Sequence, residues 1–108
     1  MRMSAVKRAL LETIDGLIEM MPVEESLFAE QFFGKEMSLN HVRWMAETAK
    51  ANVSSWPIDK TGRWIGFIQG VLACHQILDV SEERDRTRPL FHAAYAEDGE
   101  IIPETKEP

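Results

Sequence analysis

Apolar residues recur along most of the chain at three- and four-residue intervals, and no strand-length run alternates singly between apolar and polar. That period predicts helices. Val6, Ala9, Leu10, Thr13, Leu17 and Met21 form one stripe of a first helix over residues 4–20, with Ser4 as its N-cap. Pro22 ends it. With Glu24 and Glu25 in a first turn, Pro22 also opens a short second helix carrying Leu27, Phe28, Phe32 and Phe33, which stops at Gly34. A third helix from Ser38 places Leu39, Val42, Met45, Ala46, Ala49, Val53 and Trp56 on one face. It ends at "SSWP", because a residue before proline avoids the helical region. A fourth runs from about Pro57 to Leu78. A fifth opens at Asp79, with Glu82 three residues on in a capping-box pattern, and carries Val80, Thr87, Leu90, Phe91, Ala94 and Tyr95. Pro89 within it removes a backbone hydrogen bond and predicts a kink or a break.

The fourth helix is the unusual one. "TGRWIGFIQGVLACH" places Gly62, Gly66 and Gly70 on one narrow arc with Ala73, while Trp64, Phe67, Ile68, Val71, His75 and Leu78 fill much of the opposite side. Three interior glycines weaken a helix by roughly 3 kcal/mol relative to alanine. A phosphate loop needs its glycines at a strand-to-helix turn, which this spacing is not. A membrane-spanning pair of helices needs ~20 mostly apolar residues, and Gln69, His75 and Gln76 interrupt this stretch. Close packing within the globule is the remaining use. The ridge is expected against Ala46 and Ala49, or against a second copy across a dimer interface. The fold expected is therefore all-α, a compact bundle of four to five helices with the glycine-ridged helix at its centre.

Composition narrows the function. The 108 residues suit one domain, expected over residues 1–96, with residues 97–108 an acidic tail. The net charge is −6, distributed as −3 over residues 1–40, +1 over 41–92 and −4 over 93–108. That balance disfavours general nucleic-acid binding, although the near-neutral middle leaves room for a local anion site. A single cysteine, Cys74, excludes an internal disulfide framework and any multi-cysteine metal site. The N-terminal stretch lacks a continuous apolar region, so a cytoplasmic, non-membrane protein is expected.

Candidate chemistry is sparse. His41, His75 and His92 have no helical metal-pair spacing, so no metal and no cofactor are expected. Cys74 and His75 are adjacent, which points them about 100° apart on a helix and away from mutual reaction. Cys74 reads as a small core residue and His75 as a partly buried histidine with one hydrogen-bond partner. "DVSEERD" lacks the glycine and glutamate of a calcium loop, and "NVS" is an incidental sequon. Two clusters remain. Lys60, Arg63, Arg84 and Arg88 are the candidate anion site, for a nucleotide or other phosphate ligand; a structural ion pair of Arg84 with Asp59, Asp79 or Glu47 is the competing expectation. Trp44 projects away from the main stripe of its helix, near His41; cover by the Phe28–Phe33 segment is the commoner outcome for a tryptophan, and an exposed Trp44 would form, with His41 and Phe33, the candidate surface for a protein partner.

"NHVRWM", "WPIDKTGRWIGFIQGVL" and "ERDRTRPLFHAAY" together resemble small uncharacterised proteins of tailed bacteriophages and enterobacterial prophages. The resemblance covers about half the chain and leaves out residues 1–37. It implies a phage accessory protein acting on host defence or regulation, within a bacterial host cell, and it carries over no catalytic residues. The expected function is a non-enzymatic, homo-oligomeric module that binds a protein partner. The alternative is a nucleotide or phosphate binder using the Lys/Arg cluster.

Overall fold

The computed structural model describes residues 3–22 and 34–99. These form four helices, α1 (Ala5–Met20), α2 (Leu39–Asn52), α3 (Ile58–Cys74) and α4 (Val80–Glu97), with a 3-10 turn over Lys35–Met37 ahead of α2. They correspond to the first, third, fourth and fifth helices expected from the periodicity. The expected second helix, with Phe33, lies outside the described residues.

Three of the four helices begin where the sequence supplies a side-chain acceptor, and α3 begins at Pro57 without one. The Ser4, Ser38 and Asp79 side chains accept from Lys7 N–H (3.2 Å), His41 N–H (3.1 Å) and Glu82 N–H (2.9 Å). The end of α3 falls four residues earlier than expected. Gln76 takes a left-handed conformation (φ 60°), while its N–H donates to Ala73 O (3.0 Å) and Ile77 N–H to Leu72 O (3.0 Å). This is a glycine-type helix stop made by a residue other than glycine, so the usual sequence signal for a C-terminus is missing. α4 passes through Pro89 as one helix. Pro89 and Asp85 are both exposed, so the carbonyl that proline leaves without a donor can meet water.

The core is built on α1. Val6, Leu10, Ile14 and Leu17 are at most 4 % exposed, and α1 packs against α2, α3 and α4 alike. Burying each such side chain contributes about 1.5–3 kcal/mol. α2 runs antiparallel to α1. Arg43 Nη2 donates to Pro22 O at one end, Lys50 Nζ meets Asp15 Oδ1 (2.9 Å) further along, and Lys7 Nζ donates to Ser54 O (2.7 Å) at the other. The short 53–57 connection returns the chain so that α3 lies against α2. α4 then runs back along α1. Arg8 Nη2 meets Glu97 Oε2 (3.1 Å), and the Asp98 carboxylate accepts from Ala5 N–H (2.8 Å) and Val6 N–H (2.9 Å). The packed body thus reaches Asp98.

The glycine ridge is on the outside. Gly62, Gly66 and Gly70 are exposed, and a Cβ placed on any of them has no described atom within 4 Å. Ala46 and Ala49, their expected partners, are fully buried in the core. The reason lies in the face that α3 buries. Thr61, Ile65, Ile68 and Leu72 turn toward the core, and Thr61 satisfies its hydroxyl on Pro57 O (3.4 Å). α1, rather than the glycine-bearing helix, occupies the centre. The glycine in close contact is Gly16 of α1, where the Arg86 guanidinium lies flat on the bare backbone; a Cβ there would fall 2.7 Å from Arg86 Nη1.

Two further expectations change. Cys74 is exposed, because α3 turns it away from Leu72 and Val71. On α4 the expected stripe holds at Ala94, which is buried, and at Thr87, Leu90, Phe91 and Tyr95, which are half-buried, whereas Val80 is 56 % exposed and Glu83 is buried. Glu83 meets Arg86, whose guanidinium rests on α1 at Gly16, so this side of α4 faces inward.

Candidate functional site

The antiparallel pairing of α2 and α3 brings all three tryptophans of the chain into one row. His41 and Trp44 are one turn apart on α2 and stack at 5.7 Å between ring centroids, with planes 30° apart. Trp44 then meets Trp64 of α3 at 6.0 Å, tilted by 44°. Trp64 in turn takes the edge of Trp56, from the α2–α3 connection, at 4.7 Å and 62°. Lys60 Nζ closes the row, 4.2 Å above the Trp56 ring. Offset and edge-to-face contacts of this kind contribute about 0.5–1.5 kcal/mol per pair, and a cation over an exposed ring about 0.5–1 kcal/mol.

Local sequence explains the row. Trp56, Lys60 and Trp64 are spaced by four, so they share a helical face from the first turn of α3 onward. Pro57, at the N-cap position of α3, directly follows Trp56 and fixes its own φ at −57°. Trp44 is 57 % exposed, and Phe67, one turn beyond Trp64, is 40 % exposed. Trp56 and Trp64 are half-buried and pack against the core as their place on the apolar faces predicts, and they join the row as well. The four-residue spacing was the available signal for the row. Of the expected partner-surface residues, the structure brings His41 and Trp44 together, and Phe33 lies outside the described residues.

The cationic cluster is placed differently. Arg63 pairs with Asp59 on its own helix (3.0 Å), both side chains largely in water. Lys60 belongs to the tryptophan row. Arg84 lines a cleft between α3 and α4 level with Gly70, seven residues beyond Arg63, or about 10 Å along the helix. Arg88 is exposed on α4. The arginine that meets a buried carboxylate is Arg86, whose Nη2 donates to Glu83 Oε1.

His75 Nε2 donates to Met37 O (2.8 Å), which ties the end of α3 to the turn before α2 and matches the expected single-partner histidine. Among the described residues no group of three or more His, Cys, Asp or Glu side chains is placed to hold a metal ion. None of their helices is long and apolar enough to cross a membrane. No protein-family model, curated protein or solved structure matches the chain.

Proposed function

We propose that this chain is a non-enzymatic binding module that docks a protein partner on its tryptophan row, in the phage or prophage accessory role, directed at host defence or regulation, that the sequence resemblance implies. The observation that carries this reading is Trp44, more than half exposed yet stacked on His41 and in tilted contact with Trp64. An indole so held loses little conformational freedom on binding, and tryptophan is enriched among the residues that dominate interface energies. The row continues apolar area from Trp44 toward Phe67 and ends in a cation at Lys60, so a partner offering an apolar side chain beside a carboxylate fits it. A second copy of the chain qualifies as such a partner. The phosphate-binding alternative is weaker, because Arg63 pairs with Asp59 on its own helix and Arg84 lines a cleft about 10 Å further along α3, so the cations do not converge.

The test compares the wild type with Trp44→Ala in sedimentation and in affinity capture from bacterial lysate. The expected result is an assembly heavier than 12.4 kDa, either homomeric or with a captured protein, that weakens about 30-fold or more in the variant, while the variant stays folded and loses no more stability than its two ring contacts supply, about 1–3 kcal/mol. Equal association by both proteins would remove the row from the function.

A further inference from the structure

The chain holds two Asp-Gly pairs, Asp15–Gly16 and Asp98–Gly99. In such a pair no Cβ on the second residue obstructs the backbone nitrogen, which can attack the aspartate Cγ beside it. The two pairs are equivalent in sequence and differ in the fold. Asp15 lies in the interior of α1, its carboxylate paired with Lys50 (2.9 Å) and Gly16 covered by the Arg86 guanidinium. Reaction there needs the central helix to open. Asp98 lies at the exposed end of α4, followed by Gly99 in the left-handed region (φ 76°). Three hydrogen bonds hold it. Its Oδ1 and Oδ2 accept from Ala5 N–H (2.8 Å) and Val6 N–H (2.9 Å), and Gly99 N–H donates to Ala96 O (3.1 Å). At ψ −1° the Gly99 nitrogen eclipses the Asp98 nitrogen and is turned away from Cβ, so Cγ is out of its reach. A helix end opens locally far more often than a helix centre.

We infer that Asp98 is a site of spontaneous isoaspartate formation, shielded by its hydrogen bonds to α1 and made reactive whenever the end of α4 frays. The Gly99 nitrogen loses its proton and bonds to Cγ of the protonated carboxyl. The carboxyl hydroxyl leaves with that proton as water, and a cyclic imide remains. Water then adds at the Asp98 backbone carbonyl carbon, and the bond from that carbon to the Gly99 nitrogen breaks. The main chain now runs through Cγ, and the free carboxylate sits on Cα. The water released in the first step is consumed in the second, and no oxidant or reductant takes part. The product cannot remake the contact with Ala5 and Val6, because its carboxylate reaches one carbon less far from a main chain one carbon longer. One such event therefore frees the end of α4 from the start of α1 permanently.

The experiment stores the full chain folded and, in parallel, unfolded in guanidinium chloride. Isoaspartate is located by enzymatic methylation of the isoaspartyl carboxylate and peptide mapping. The expected result is isoaspartate at Asp98 and not at Asp15 in the folded protein, and at both in the unfolded chain. Ala5→Pro removes one of the two N–H donors; proline suits the first position of a helix, and Ser4 before it is already extended (ψ 162°). That variant should isomerise at Asp98 about threefold or more faster than the wild type. The isomerised wild type should exchange its Ala5 and Val6 amide protons faster than the unreacted protein. No isoaspartate at Asp98 in the folded protein, equal formation at Asp15 and Asp98, an unchanged rate in folded Ala5→Pro, or unchanged exchange at Ala5 and Val6 would each overturn the inference. The wild-type comparison decides it even where the proline variant fails to fold.

Discussion

At the residue scale, the Glu83–Arg86 pair is the most demanding arrangement in the molecule. Glu83 is nearly fully buried, Arg86 is about one third exposed, and the guanidinium fits against α1 because position 16 is glycine. Removing the cation leaves a carboxylate in the core with no counter-charge. A fully buried pair broken in this way costs about 3–5 kcal/mol, and the partial exposure of Arg86 lowers that to about 2 kcal/mol. Arg86→Met is expected to lose this amount in urea denaturation. The double variant Glu83→Leu with Arg86→Met should recover most of it, since no charge is then buried. Losses that simply add would show that the two side chains act independently. The pair was hard to read in the sequence. "EERDRTRP" offers three arginines at two-residue spacing, and only the rotation of α4 decides which one turns inward.

At the scale of the element, α1 and α3 show what periodicity can and cannot decide. The stripe from Val6 to Met21 was legible because α1 has one apolar side, and those six positions are all buried. α2 was legible for the same reason, whereas the exposure of Trp44 was not, since a position off the stripe leaves open whether another segment covers it. α3 is apolar or small on most of its circumference, so its sequence permits several rotations. Its neighbours choose the one that buries Thr61, Ile65, Ile68 and Leu72 and leaves the glycines outside. That arrangement makes a prediction opposite in sign to a packed ridge. Gly62→Ala and Gly66→Ala should each stabilise the protein by about 0.5–1 kcal/mol, because each gains helix propensity and meets no neighbour. Chemical denaturation measures this directly, and a loss of stability in either variant would mean that the ridge is a contact after all. α4 was least legible. Its apolar positions are spread over a wide arc and Pro89 interrupts the signal.

At the scale of the whole molecule, α4 is fastened to α1 along its length, and the last fastening is electrostatic. The Asp98 carboxylate accepts the Val6 and Ala5 N–H groups at the start of α1, and these hydrogen bonds hold its pKa below the ordinary value of 3.8. The charged end of a helix dipole adds to the same effect. A carboxyl whose folded pKa is depressed contributes stability that is fully present above its unfolded pKa. That stability is lost as pH falls through the folded value. The contribution of Asp98 should therefore hold from neutral pH down to about pH 4 and disappear below it. Asp98→Asn should lower stability at pH 7 and flatten the fall in stability below pH 4; an unchanged acid limb would show that the latch contributes nothing. Contacts between residues 93 positions apart carry no local pattern, which is why a tail expected from residue 97 turned out to begin with a working cap.

The account rests on the tryptophan row being an open, ordered surface. The most direct measurement is fluorescence quenching of a protein keeping Trp44 alone, with Trp56→Phe and Trp64→Phe preserving the aromatic contacts. Trp44 should be quenched by acrylamide and by iodide nearly as readily as an exposed indole, while its high anisotropy shows that the ring is held. A blue-shifted emission protected from both quenchers would mean that this face is already covered, and the proposed docking surface would not exist.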